Sequence, residues 1–419
     1  MGNNIGEVRE KEFEDGELTR LAEEQTYLFD YKDEEVYKYG AKYIEELSEN
    51  NFFVDYLKKY ISTNRERIIF NGDIESLDDI FLFLKECYAR EGIKGDRGKG
   101  KDSYNPSLVK KWIYESMVPS REEAHRLCFC LGMDVRMAEE FLLKGCLTKP
   151  FNYKDIKEAT YYFALNNNLG YREAIEMISD IENNKSPEGI DIENDTIAIG
   201  EAIKKIDKKD EFINYINENK IGFAKQSRTA MAKLDELMKQ ASKLAEWERE
   251  KYLYIYNFPK IEGEHDVPAI MNVILGYESR AQEKKENIYK VRIAKSNFPS
   301  LVRNNFPDVQ AITSILKSDE PSVETLRKAI VLLAFYNYFT ELLQEEIEYD
   351  GSKYCEFIDY LDAILQDCGY HEMYWRNPYD WMFGYCAGSD RPIEEFRSLI
   401  QYFYLDNPEV FSKGDGDLS

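Results

Sequence analysis

The stretch PSREEAHRLCFCLGM, residues 119–133, decides the fold class. Ser120 and Glu123 have the Ser-x-x-Glu spacing of a capping box, which satisfies free amides at a helix start. Counted from Ser120, the apolar residues Ala124, Leu127, Cys128 and Leu131 fall at +4, +7, +8 and +11, one face of an α-helix. Gly132 supplies the left-handed stop that ends it. A capped amphipathic helix is therefore expected here, and the same 3.6-residue periodicity dominates the rest of the chain. In SLDDIFLFLKECYAREGIK, residues 76–94, Ser76 is the expected N-cap, with Ile80, Phe83, Leu84 and Cys87 on one face. Residues 196–256 read as long helices with charged outer faces. Alternating β-branched runs bounded by turn pairs are scarce, so the class is all-α.

Working outward, the decisive stretch has an echo at PSVETLRKAIVLL, residues 321–333. From Ser322 the apolar positions are Leu326, Ala329, Ile330 and Leu333, again +4, +7, +8 and +11. A short amphipathic helix precedes each copy: Leu108, Val109, Trp112 and Ile113 form its stripe in the first, Ala311, Ile312, Ile315 and Leu316 in the second. Downstream, FLLKGC ending at Cys146 matches AILQDC ending at Cys368. Asn152-x-x-Asp155 matches Asn377-x-x-Asp380, each pair opening a further helix by capping it. The pattern predicts two related helix-turn-helix-like modules joined by long helices. Residues 1–70 form an acidic helical N-terminal region, 71–185 the first module, 195–260 a helical connector and 285–405 the second module. The end, KGDGDLS, reads as a frayed tail.

The chain has 419 residues, 43% apolar and 14% aromatic, with 31 Tyr and 23 Phe, enough to bury real cores. It is acidic, with 55 basic against 79 acidic residues and a net charge of −24. Residues 1–60 hold 16 acids and 8 bases, a net of −8. Residues 94–111 run the other way: Lys94, Arg97, Lys99, Lys101, Lys110 and Lys111 against Asp96 and Asp102, a net of +4. Seven cysteines, an odd number set among apolar helical positions, fit reduced buried thiols better than a disulfide framework. No N-terminal apolar segment marks secretion, and the run AIVLLAFY is too short to cross a bilayer, so a cytoplasmic protein with no membrane role is expected.

The segment NPSLVKKWIYESMVPSREEAHRLCFCLGMD, residues 105–134, resembles the second half of an Xre-type helix-turn-helix domain. In that family a recognition helix ends in a turn, and a Pro-Ser pair starts the next helix, which closes with Leu-Gly. The resemblance makes Ser107–Tyr114 the recognition helix, ESMV the turn and Leu131-Gly132 the close. The following LLKGCLTKPFNYKDIKEATYYFALNNNLGYREAIEMI resembles the helical extension attached to this domain in many bacterial proteins. FPDVQAITSILKSDEPSVETLRKAIVLL is similar, with Asp308–Lys317 as its recognition helix. The family places a short second helix before the recognition helix, across the DNA backbone. In the first copy that place is taken by GIKGDRGKGKDSY, a poor helix; in the second, by FPSLVRNNF, with few basic residues.

What the resemblance implies is a non-enzymatic regulator of bacterial type that binds DNA. Lys94, Arg97, Lys99, Lys101, Lys110 and Lys111 are then candidate phosphate contacts, and Gln310, Thr313, Ser314 and Lys317 the candidate nucleic-acid-facing residues of the second recognition helix. Gln310 suits an adenine edge and Thr313 a thymine methyl. The other reading of that face is the polar side of an amphipathic helix. The rival function is an acidic protein–protein interaction scaffold that binds no nucleic acid, and the net charge favours it. A protein partner is expected in either case.

The glycine and lysine spacing from Gly95 to Lys101 matches a phosphate loop. Asp102, however, stands where that loop needs Ser or Thr, and a helix rather than a strand precedes it. A mobile basic loop that binds no nucleotide is expected instead. No cofactor or metal motif is present: Cys128-x-Cys130 has no second pair at zinc spacing, and EGEHD, residues 262–266, reads as a solvated loop. His125 is expected to be exposed on its capped helix. Trp375 and Trp381, flanking NPYD, read as core anchors.

Overall fold

The computed structural model describes residues 50–95, 103–184, 196–252, 258–276, 306–317, 322–347, 351–375 and 377–405. The fold is all-α: sixteen helices and one pair of two-residue strands lie among these residues. Residues 1–49, 185–195, 406–419 and FPSLVRNNF up to Asn305 fall outside them. The chain divides into two compact units. Among the described residues, one unit contains residues 50–232 with Leu365–His371; the other contains Lys233–Ile364 and Glu372–Leu405. The division falls within one long helix.

In the first unit, α1 (Phe52–Thr63), α2 (Leu77–Arg90), α3 (Pro106–Tyr114), α4 (Arg121–Cys130), α5 (Val135–Lys144), α6 (Ile156–Asn166) and α7 (Tyr171–Asn183) pack around one core. Helices α8 (Thr196–Lys204) and α9 (Lys209–Glu218) close it, and α10 (Lys220–Lys251) leaves it. Local chemistry sets the helix starts. Ser76, Ser120, Asp134 and Asp155 each accept a backbone N–H three residues on, as N-caps do. Gly132 ends α4 at φ +65°, with the Met133 N–H reaching back to the Cys128 carbonyl at 3.0 Å. Ile80, Phe83, Leu84 and Cys87 are buried as the periodicity predicts.

Helix α4 is central. It packs against α2, α5, α6 and α7, so residues 124–130 are buried all round, not along one stripe. This overturns one expectation. His125 is 1% exposed, not on the surface, and its ring packs 5.2 Å from Phe151 and 5.6 Å from Tyr161. The capping box is also only half made. Ser120 accepts the Glu123 N–H, but the Glu123 carboxylate turns to the Tyr88 hydroxyl at 3.1 Å and Arg126 Nη1 at 2.8 Å. Leu108, expected in the α3 stripe, is 39% exposed, while Val109, Trp112 and Ile113 are buried.

The second unit is built on α13 (Val323–Gln344), capped by Ser322. Helices α11 (Val267–Ile274), α12 (Val309–Lys317), α14 (Gly351–Asp367) as far as Ile364, α15 (Pro378–Ala387) and α16 (Pro392–Leu405) complete it. Helix α13 packs with α12, α15 and α16. The run AIVLLAFY lies in its middle and is buried on every side. Phe335 is its hub, with ring centroids 5.0 to 5.7 Å from Phe339, Phe357, Phe383 and Phe396. Trp381 is buried, and the Trp375 indole lies over Gly384, leaving no room for a Cβ there. Among the described residues no helix is long and apolar enough to cross a membrane.

Candidate functional site

The basic stretch begins where α2 ends. Lys94–Gly95 pairs in parallel with Ser103–Tyr104, a strand pair that the sequence reading did not anticipate. Its footing is rigid. Tyr88 and Tyr104 stack with centroids 4.2 Å apart, and Arg126 Nη1 donates to the Ser103 carbonyl at 3.0 Å. Arg97, Lys99 and Lys101 lie outside the described residues; Lys94, Lys110 and Lys111 are exposed.

Helices α2 and α3 run in opposite directions, since Asp78 accepts from the Tyr114 hydroxyl while Phe81 meets Lys110. Lys110 Nζ lies 5.6 Å from the Phe81 ring centroid, and Lys85 Nζ lies at the same distance. No described carboxylate forms an ion pair with either lysine. Both cations lie within cation–π range of the one ring.

The candidates of the second unit share one surface. Gln310, Thr313, Ser314 and Lys317 follow the i, i+3, i+4, i+7 spacing of one helix face. Gln310, Ser314 and Lys317 are exposed, Thr313 is half-buried, and all four line a shallow open depression with Asp308, Val309 and Ala311. Ile312 and Ile315 are buried on the opposite side, and Val309, also buried, sits at the edge of the depression.

Sequence reading missed a pair of buried clamps. Arg121 donates to Glu158 through Nε and Nη2, both at 2.6 Å, and to the carbonyls of Lys149 and Pro150. Arg327 donates to Asp380 at 2.7 and 2.8 Å and to the Glu372 carbonyl at 3.3 Å. Each acid stands three residues after the N-cap of its helix, Asp155 or Asn377. Each accepts a backbone N–H from six residues upstream, Asn152 at 2.7 Å or Tyr374 at 2.9 Å. The roles therefore do not follow the sequence match: Asp155 and Asn377 are the caps, and Glu158 and Asp380 hold the arginines. Asn152 does not cap α6; its amide donates to the Gly369 carbonyl. The signal was present in the sequence only as an acid at the third position of each helix, which is common near helix N-termini and not specific.

These charges are committed to structure. Burial pushes the Glu158 carboxyl up, but Arg121, His125 and the Asn152 N–H outweigh it and hold the group at about 2. A third buried pair, Glu248 with Arg397 at 2.7 and 3.0 Å, also accepts the Tyr336 hydroxyl. Among the described residues no group of His, Cys, Asp and Glu is arranged to hold a metal ion. In EGEHD, Asp266 caps α11 and His265 Nε2 lies 2.7 Å from Asp235. Comparison with protein-family models, curated proteins and solved structures finds no match to this chain.

Proposed function

We propose that the chain is a non-enzymatic regulatory protein with a helix-turn-helix-derived scaffold that contacts DNA through α12. The observation that carries this reading is the outward face of Gln310, Thr313, Ser314 and Lys317, four polar side chains on one side of a short helix whose other side is buried. Gln310 offers a donor and an acceptor to an adenine edge, Thr313 and Ser314 single contacts, and Lys317 a phosphate contact. Lys94, Lys110 and Lys111 supply charge without reading sequence. The net charge of −24 repels the duplex beyond these patches, so binding is weak at physiological salt. The test is fluorescence anisotropy with genomic DNA fragments at about 50 and 200 mM salt. Binding at the lower salt is expected, with Gln310→Ala costing about 1–3 kcal/mol on the preferred fragment and little elsewhere. No binding at about 50 mM salt overturns the DNA reading.

A second reading, a protein-interaction scaffold, is favoured by a separate observation. Leu82, Leu108 and Tyr114 are 50%, 39% and 45% exposed on α2 and α3. Duplex DNA has no use for such side chains at its phosphate backbone, whereas a protein partner does.

A further inference from the structure

We infer that Asn71 is a site of spontaneous covalent modification, where the Asn71-Gly72 pair between α1 and α2 converts to aspartate and isoaspartate through a cyclic imide. The inference does not rest on the reading of α12 and survives its failure. Asn71-Gly72 is the one Asn-Gly pair in the chain. Asparagine is chemically labile, and a glycine after it sets no side chain in the way of ring closure. Other asparagines are held from this path by their own hydrogen bonds: Asn51, Asn64, Asn105, Asn152 and Asn377 all commit their side chains to nearby backbone. Asn71 and Gly72 are both exposed, and among the described residues neither takes part in a hydrogen bond. The attacking backbone nitrogen and the side-chain amide are thus both free. The glycine is also fixed by packing, since a Cβ at position 72 would stand 2.8 Å from the Asp79 Cβ. The reactive pair is therefore built into the way this turn meets α2.

The reaction needs no co-reactant but water. The Gly72 nitrogen bonds to the Asn71 side-chain carbon, and the bond from that carbon to Nδ2 breaks. The Gly72 proton leaves with Nδ2 as ammonia. Water then opens the imide at either carbonyl. Both products carry a new negative charge. One keeps the ordinary backbone; the other, isoaspartate, routes the backbone through the side-chain carbon and lengthens it by a methylene. Both flanks of the pair are anchored. On one side the Phe70 ring packs 5.4 Å from Phe83. On the other the Asp73 N–H donates to Asp79 Oδ2 at 2.8 Å, and the Ser76 N–H to the Asp73 carbonyl at 3.0 Å. Ser76 in turn caps α2. The isoaspartate form must therefore loosen an anchor, and the start of α2 with it, whereas the aspartate form changes the charge alone.

The test is peptide mass spectrometry on the full chain aged at physiological pH, beside a synthetic peptide of residues 68–76 aged in the same way. The tryptic fragment Ile68–Lys85 is expected to gain the mass of an amide turned to an acid, with isoaspartate exceeding aspartate. Its rate should lie within about tenfold of the peptide's, because an exposed loop without hydrogen bonds offers little protection. Asn71→Gln removes the conversion, since its longer side chain closes the ring unfavourably. Thermal melting then separates backbone from charge. Aged wild type is expected to melt lower than fresh, while Asn71→Asp, with the charge on an ordinary backbone, and aged Asn71→Gln, which controls for ageing elsewhere, match fresh wild type. An unchanged fragment in the folded chain while the peptide converts overturns the inference, by showing that the fold holds the pair from ring closure. Conversion at other asparagines but not at position 71 overturns it equally. A fall in Asn71→Asp as large as in the aged sample overturns the backbone effect and leaves charge as the cause.

Discussion

The Arg121 guanidinium grips the Glu158 carboxylate side-on, Nε to Oε1 and Nη2 to Oε2, with both distances 2.6 Å and both side chains largely buried. Through this pair the start of α4 is tied to the start of α6, and the turn leading into α6, residues 148–152, is wrapped around one guanidinium by the Thr148 hydroxyl and two carbonyls. Leu147, which leads into that turn, is held at φ +51° while 2% exposed. Such a conformation persists where the surroundings over-determine it.

Removing one partner leaves the other charge buried and unpaired. Arg121→Ala is expected to destabilise the first unit by about 3–5 kcal/mol. Arg121→Lys restores little, because an ammonium cannot reproduce the planar two-bond pairing. Denaturant unfolding followed by circular dichroism measures both. A loss under about 1 kcal/mol for Arg121→Ala would show the pair to be no stronger than a surface bridge.

Two imidazoles near this clamp make the first unit acid-sensitive. His125 and His371 are both held at about 4: His125 by burial against the pull of Glu158, His371 by burial and then by the Arg121 charge. A histidine whose folded value lies below its ordinary 6.5 gives stability that is complete above 6.5 and lost as pH falls towards 4. Asp155 works in the opposite sense, since burial raises it to about 6 and its contribution is lost as pH rises through that value. His125→Leu is expected to flatten the fall in melting temperature between pH 6.5 and 4 relative to wild type. Parallel curves would remove His125 from the account.

In the second unit the sign reverses at Glu395. Burial raises its carboxyl to about 7, against a smaller opposing effect of the Tyr385 hydrogen bond, and its Oε1 is buried without a hydrogen-bond partner. A raised acid favours the protonated fold, so this stability is present below 4.5 and lost as pH rises through 7. Glu395→Gln should therefore melt higher than wild type at pH 8 and similarly at pH 5. An equal difference at the two pH values would contradict the assignment.

Gly384 lies inside α15, where alanine would ordinarily gain about 1 kcal/mol in helix propensity. Here a methyl group meets the Trp375 indole. Gly384→Ala should lower the melting temperature and change tryptophan fluorescence, since overpacking of this kind costs about 1–3 kcal/mol. A stabilised variant with unchanged fluorescence would show that Trp375 moves aside freely.

The sequence by itself determined what depends on neighbours within a few residues. Ser120 and Ser322 cap helices, Gly132 ends one in a left-handed turn, and the +4, +7, +8, +11 residues after each serine are buried. Caps and apolar periodicity are local properties of the backbone, so they are written in local sequence. Of the candidate site, the polar face from Gln310 to Lys317 was legible for the same reason. What the tertiary structure decided is where a residue faces once several helices compete for it. His125 lies off the apolar stripe, yet four helices enclose α4, and from Ala124 to Cys130 no solvent-facing side remains. Glu123 abandons its capping role because folding brings Tyr88 and Arg126 within reach. The clamps join residues 37 and 53 apart, Arg121 to Glu158 and Arg327 to Asp380, and so the shared role of Glu158 and Asp380 emerges only after those helices have packed. A buried charge takes whichever partner the fold places beside it, since leaving it unpaired costs more than any local preference supplies.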